Sequence, residues 1–393
     1  MRSGRASGVI LAVFLSVTWA GFAQAEVAGD LTNRLQATLE QILDRYDLPG
    51  ATAAIVVPDG TVFGSAAGLA DVELKRPMTP DTRLLAASIG KTFVGAMVLA
   101  LESKGQVSQS DLLSKYLGDR PWFSGLPNAE AITLGHLLRH SSGLPDHPHL
   151  PEFHAAARAR IARDGGRFTP EELIGFVVGK APLFASGKGW AYTDTGYILL
   201  GLVVEAASGR SYYEMLTERF LDPLGLGDTV PSDTPDIPDL AVGYTVADNP
   251  FGLPQRTADR AGRLLWDPAM EWTGGGLASS ASDLARWGHA FFGGEAMEAP
   301  YLDRLLDGVP IAPDTAGILY GTGVAIYTDT PDGPVYGHGG WIPGYVSSLR
   351  HYADHGVTVA FQINSDVGVV DDSSDHVAEL EAMLARLAIE ASQ

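Results

Sequence analysis

The feature that most constrains this chain is a change of hydrophobic period, from two to about 3.6 and back to two. "GATAAIVVPDGTVFGSAAG" (50–68) reads as two strands joined at Pro58-Asp59-Gly60, a turn-forming trio. "GTGVAIYTDTPDGPVYGH" (321–338) and "GYVSSLRHYADHGVTVAFQIN" (344–364) read as antiparallel strands turning at Asp332-Gly333 and His355-Gly356. Helical spacing covers 88–104, 131–139, 170–179, 195–207 and 211–220, and also Leu31, Leu35, Leu39, Ile42, Leu43 and Tyr46 ahead of the first strand. "SASDLARWGHAFF" opens with Ser280 and Asp283 at capping-box spacing, 221–278 is rich in Gly and Pro, and 373–390 reads as an acidic last helix. The expectation is an α+β protein. One antiparallel sheet is built from both chain ends (about 26–100 and 300–393) and flanked by helices, beside a mostly helical lobe (about 101–299). A cleft between two such lobes is the natural place for a site.

At the N-terminus, Arg2 and Arg5 precede the apolar run "GVILAVFLSVTWAGFA", which ends at Ala23-Gln24-Ala25. A positive start, a short apolar middle and an A-x-A site describe a secretory signal peptide over residues 1–25, with 26–393 left to fold in the periplasm or outside the cell. The run is too short to span a membrane convincingly, so no stable anchor is expected after cleavage. No cysteine is present, which excludes disulfides, and a packed core must carry the stability. With 47 Asp+Glu against 27 Lys+Arg, nucleic acid and anionic membrane surfaces are disfavoured partners.

Chemistry enters with Ser88-Ile89-Gly90-Lys91 at the head of an apolar helix. Spacing of three stacks the serine hydroxyl and the lysine amine one turn apart, where an amine can take the proton that makes serine a nucleophile. Alone the pair is a weak signal, since a capping serine and a solvated lysine read the same way. Tyr192 and Asp194, in "WAYTDTGYILLG", stand where a helix begins and read either as core aromatic and cap or as cleft residues. His136, His140, His147, His149 and His154 cluster within 19 residues. His136 and His140 have the spacing of a zinc pair but lack an acidic third ligand, so no metal or cofactor is expected. No G-x-S-x-G elbow is present.

Taken in order, Ser88-x-x-Lys91, "ITLGHLLRHSSGLPD" (132–146), "WAYTDTGYILLG" (190–201) and "YGHGGWIPGYVSSLR" (336–350) closely resemble the serine β-lactamase-like family of class C β-lactamases, D,D-peptidases, D-aminopeptidases and esterases. The resemblance implies Ser88 as the acylated nucleophile, Lys91 as its proton partner and Tyr192 as the tyrosine of the Y-x-N element, shuttling protons. A phenol beside an ammonium is expected to ionise below its usual value of about 10. His338-Gly339-Gly340 matches the third element, expected on a sheet-edge strand. There Gly339 and Gly340 would let substrate backbone approach, while His338 would either meet substrate or orient the strand. The backbone N–H groups of Ser88 and Trp341 would form the oxyanion hole. His140 and Ser142 are expected to tie down a turn at Gly143.

Asp194 departs from the family's asparagine, and His338 stands where many β-lactamases have a lysine. Both changes weaken reception of an anion, and an ionised Asp194 would suit a substrate amine instead. The expected function is an exported serine hydrolase of small esters or of short D-amino-acid peptides such as those of peptidoglycan. A β-lactamase or a non-catalytic cell-wall peptide binder of the same fold is the alternative.

Overall fold

The computed structural model describes residues 13–313, 315–370 and 373–393, with side chains from residue 29. The expected signal peptide lies outside the described residues up to residue 12 and outside the described side chains beyond it. Among the described residues no helix is long and apolar enough to cross a membrane.

Helix α1 (Val13–Tyr46) leads into strands β1 (Gly50–Val56) and β2 (Val62–Asp71), with Gly60 at φ +84° in the turn between them. The long helices of the middle include α2 (Gly90–Ser103), α3 (Asp194–Ser208) and α4 (Ala281–Phe292), with a further helix over Pro151–Asp164 in a stretch whose sequence reads as loop. Strands β3 (Ala325–Tyr327), β4 (Val335–Ile342), β5 (Tyr345–Tyr352) and β6 (Val357–Ile363) follow, and helix α5 (His376–Ala391) ends the chain. Among the described residues the main sheet has nine strands. Its order is Arg76–Pro77, β2, β1, β6, β5, β4, β3, Ile318–Tyr320 and Val309–Pro310. The two chain ends meet where β1 pairs antiparallel with β6, from Ala51 opposite Ile363 to Val56 opposite Thr358.

Period two explains why β1 is buried throughout. Ala51, Ala53 and Ile55 join Leu35, Leu39, Leu380 and Leu384 on the face covered by α1 and α5, while Ala54 and Val56 join the main core on the other face. In that core Trp287 of α4 stacks on Phe93 of α2 at 4.1 Å and on Phe291 at 4.7 Å, and its indole N–H donates to Thr92. Helix α2 is buried from Gly90 to Leu101, an apolar cylinder rather than an amphipathic surface helix.

Three local expectations change. The helices read at 131–139 and 170–179 are shorter, Leu134–Leu138 and Pro170–Gly175, because the flanking residues form turns. Ser280 does cap α4 by accepting from the Asp283 N–H, but Asp283 turns away to Thr229 and the Asp228 N–H, so no reciprocal box forms. Strand β4 is interior. It pairs with β5 along its length and with β3 only over Val335–Gly337, which leaves just its second half, 338–342, open on that side.

Candidate active site

A second, three-stranded sheet joins Leu84–Leu85, Leu277–Ser279 and Val230–Pro231, and so ties the chain entering Ser88 to the triple glycine 274–276. The approach is tight. A Cβ on Gly275 would lie 2.6 Å from the Ala87 carbonyl carbon, and one on Gly340 would lie 2.3 Å from the Ala86 oxygen. Only glycine lets these backbones close around the turn. Ala87 itself sits at φ +48°, left-handed backbone that an alanine adopts at a cost of about 1 kcal/mol or more. Ser88 then falls in a single 3-10 turn, Ala87–Ile89, directly ahead of α2.

From that turn Lys91 reaches back. Its Nζ is 3.0 Å from Ser88 Oγ, donates to the Gly274 carbonyl and forms an ion pair with Asp194. Lys91 is completely sealed from solvent. Burial pulls its pKa down, but the charge and hydrogen bond of Asp194 outweigh burial and hold it above its ordinary value. Tyr192 lies against the same ammonium, 4.9 Å from Nζ to the ring centroid, with its hydroxyl buried. Here the sequence expectation fails. Burial raises the phenol more than Lys91 lowers it, and Asp194 raises it further, so Tyr192 stays protonated well above its usual range.

Asp194 is the first residue of α3, and its own N–H donates to Asp146 at 2.7 Å. Its carboxylate therefore serves Lys91 rather than standing free for a substrate amine. His140 anchors the other side of Tyr192. Its Nδ1 accepts the Thr193 N–H, its carbonyl accepts the Ala191 N–H, and its ring lies 4.2 Å from that of Tyr192. Ser142 Oγ accepts the Leu144 N–H across Gly143, at φ +74°. The remaining histidines are dispersed among local partners. His136 caps its own helix through Thr133, His147 meets Thr195, and His149 pairs with Asp146. Among the described residues no cluster of His, Asp or Glu has the makings of a metal site.

His338 has both ring nitrogens engaged, Nε2 with the Tyr320 hydroxyl at 2.8 Å and Nδ1 with the Gly339 carbonyl. Burial, then the Lys91 charge, pushes its pKa down to about 3, so it is a neutral ring that orients the strand and not a cation. Trp341 is partly exposed at the cleft rim, its indole N–H on Asp366. The packing of Gly340 on Ala86 brings this part of β4 beside Ser88, so the structure gathers Ser88, Tyr192, Asp194, His338, Gly339, Gly340 and Trp341 around one cleft of about 800 Å³, with Lys91 buried behind Ser88. It adds residues the sequence reading missed: the Gly274 carbonyl, Tyr320, Asp146 and Glu271. All four lie in aperiodic or very short segments, and "TGGGL" was the only visible hint of close backbone approach.

The Beta-lactamase family model matches residues 35–384. A penicillin-binding protein of Bacillus subtilis (strain 168) is 26% identical over 342 residues, which cover 84% of this chain and 71% of that protein. A D-aminopeptidase of Brucella anthropi is 26% identical over 342 residues, 86% of this chain but only 60% of that longer protein. Among solved structures, the D-stereospecific amidohydrolase from Streptomyces sp. superposes with a TM-score of 0.73 at 25% identity, covering 84% of this chain and 94% of that one.

Proposed function

The chain belongs to the Beta-lactamase family and is a serine hydrolase, and on that basis we propose that it is an exported enzyme that cleaves amides or esters of D-amino acids through an acyl-enzyme on Ser88. The observation that carries this reading is the sealed Lys91, 3.0 Å from Ser88 Oγ and held charged by Asp194. Export rests on the character of residues 1–25.

A charged lysine and a protonated phenol define how protons move. As Ser88 Oγ attacks the carbonyl, its proton passes to the Tyr192 oxygen while the phenol's own proton goes to the leaving nitrogen or oxygen. Tyr192 thus stays neutral overall, and the Lys91 ammonium stabilises any negative charge that builds on it. Water then enters by the same relay in reverse and releases the acid. The backbone N–H groups of Ser88 and Trp341 are the proposed oxyanion donors. Against a β-lactamase preference, His338 is neutral, Lys91 is paired with Asp194 and Arg350 with Glu381, so the cations bordering the cleft are already committed.

Fluorophosphonate labelling tests the nucleophile: the protein is labelled and Ser88→Ala is not. Tyr192→Phe is expected to lower the acylation rate by about 10²–10⁴-fold with little fall in melting temperature, since the hydroxyl faces the reacting groups Ser88 and Lys91. Undiminished labelling of Tyr192→Phe removes the relay.

A further inference from the structure

We propose that Glu271 recognises the α-ammonium group of the substrate's acyl residue, which makes amino acid amides, esters and peptides with a free amine the preferred substrates. This rests on the reading above that Ser88 carries the acyl group.

Glu271 lines the cleft together with Ser88, Tyr192 and Asp194. Its carboxyl makes no hydrogen bond or ion pair with any described residue. Apolar side chains, Trp266, Met270 and Ile198, line the same cleft. A partly buried carboxyl left alone in such a place is costly unless something arrives to pair with it. Its position selects what arrives. A Cβ on Gly275 would lie 2.5 Å from Glu271 Oε2 and 2.6 Å from the Ala87 carbonyl carbon, so the carboxyl and the peptide bond entering Ser88 are neighbours across a single glycine. An acyl carbon bound to Ser88 carries its α-substituent two bonds away, within reach of that carboxyl. A more distal amine would overshoot it.

The surrounding charges favour a cation. Lys91 from α2 is neutralised by Asp194 from α3, and Asp146, behind Asp194, is a third carboxyl on the same side. Burial, Asp194 and Asp146 push Glu271 up to about 8 against the opposing pull of Lys91. An ammonium ion supplies the missing partner and displaces that proton on binding. Asp194, the acid that the sequence pattern offers for this purpose, is already taken.

The test compares D-alanine p-nitroanilide with propionyl p-nitroanilide, which lacks only the amine. Glu271→Gln is expected to lower the ratio of the two kcat/KM values at least tenfold, mainly through KM for the amine substrate, and Glu271→Asp is expected to keep part of the preference. A ratio unchanged within twofold, or an equal loss on both substrates, overturns the proposal. Calorimetric binding of D-alaninamide against propionamide to the Ser88→Ala protein reads the same subsite without chemistry. D-alaninamide should bind at least tenfold more tightly, and Glu271→Gln should abolish the difference. Failure of fluorophosphonate to label the wild-type chain would sink the acyl-enzyme reading alone, while equal binding of the two amides would sink this one.

Discussion

A lysine sealed from water keeps its charge only where a partner repays the loss of hydration, and at Lys91 that partner is Asp194. The sequence made Asp194 visible as the residue least like its family, but its partner could not be read from spacing, because 102 intervening positions say nothing about which carboxylate meets which amine. The sign of its effect is definite. With its pKa raised in the fold, Lys91 contributes stability that is fully present below the unfolded value of about 10.4 and is lost as pH climbs past it. Asp194→Asn keeps an acceptor oxygen but removes the charge, so about 1–3 kcal/mol is expected to go at neutral pH. The deficit should narrow toward pH 10, where the unpaired lysine can shed its proton. Melting curves of both proteins at pH 7 and pH 10 check this, and a deficit of the same size at both values would mean that the pair is not the cause. The phenol is the opposite lesson. Proximity to an ammonium suggested an acidic Tyr192, yet burial, which no sequence motif reports, is the larger influence and reverses the direction.

Elements were legible in proportion to their periodicity. The strands near both ends and helices α1, α3 and α4 stand out because each repeats its burial pattern over several turns or alternations. The stretch 221–278 has no such repeat, and its 3-10 turns are held by local hydrogen bonds and glycine approach instead. That stretch holds Glu271 and Gly274, which explains why this part of the cleft wall escaped notice. Interior strand β4 was mistaken for an edge because its open half, 338–342, behaves as one: the neighbouring strand β3 stops after three residues. The contact between β4 and the nucleophile turn can be broken at one atom. A Cβ on Gly340 would stand 2.3 Å from both the Ala86 oxygen and Ser347 Oγ, and Ser347 Oγ already donates to that oxygen at 2.7 Å. Gly340→Ala must therefore push the strand off the turn. The expected result is a folded protein that is destabilised by about 1–3 kcal/mol and reacts with fluorophosphonate at least tenfold more slowly. Wild-type labelling in this variant would show that the strand does not position Ser88.

At the scale of the molecule, the sheet is closed by pairing its first long strand with its last, so both ends of the chain must be in place before the main core is sealed on either face. This much follows from period two at the termini. What does not follow is how many histidines the closed structure buries uncharged. His338, His351 and His147 lie on β4, on β5 and in the 3-10 turn His147–His149, and burial lowers them to about 3, about 4 and about 4. In the unfolded chain each binds a proton near pH 6.5, so between pH 6.5 and pH 4 the unfolded state holds more protons than the folded one and stability falls as pH falls. An opposing effect exists. The chain carries a net charge of −20 at pH 7, and acidification relieves that self-repulsion. Exposed charges interact weakly across a salt-screened surface, however, whereas each buried ring must be charged in place or exposed, at roughly 1.4 kcal/mol for every tenfold loss of proton affinity. Buried carboxyls oppose them as well: Glu271, raised to about 8, and Asp146, Asp283 and Asp366, also raised by burial, take up protons in the fold before the unfolded chain does. The buried rings are therefore read by difference: from pH 6.5 to pH 4.5 the melting temperature of the wild type is expected to fall relative to that of His351→Gln, since His351 does not line the cleft and its ring hydrogen-bonds Thr358. A gap between the two proteins that stays constant over this range would mean that the buried His351 ring does not contribute to acid destabilisation.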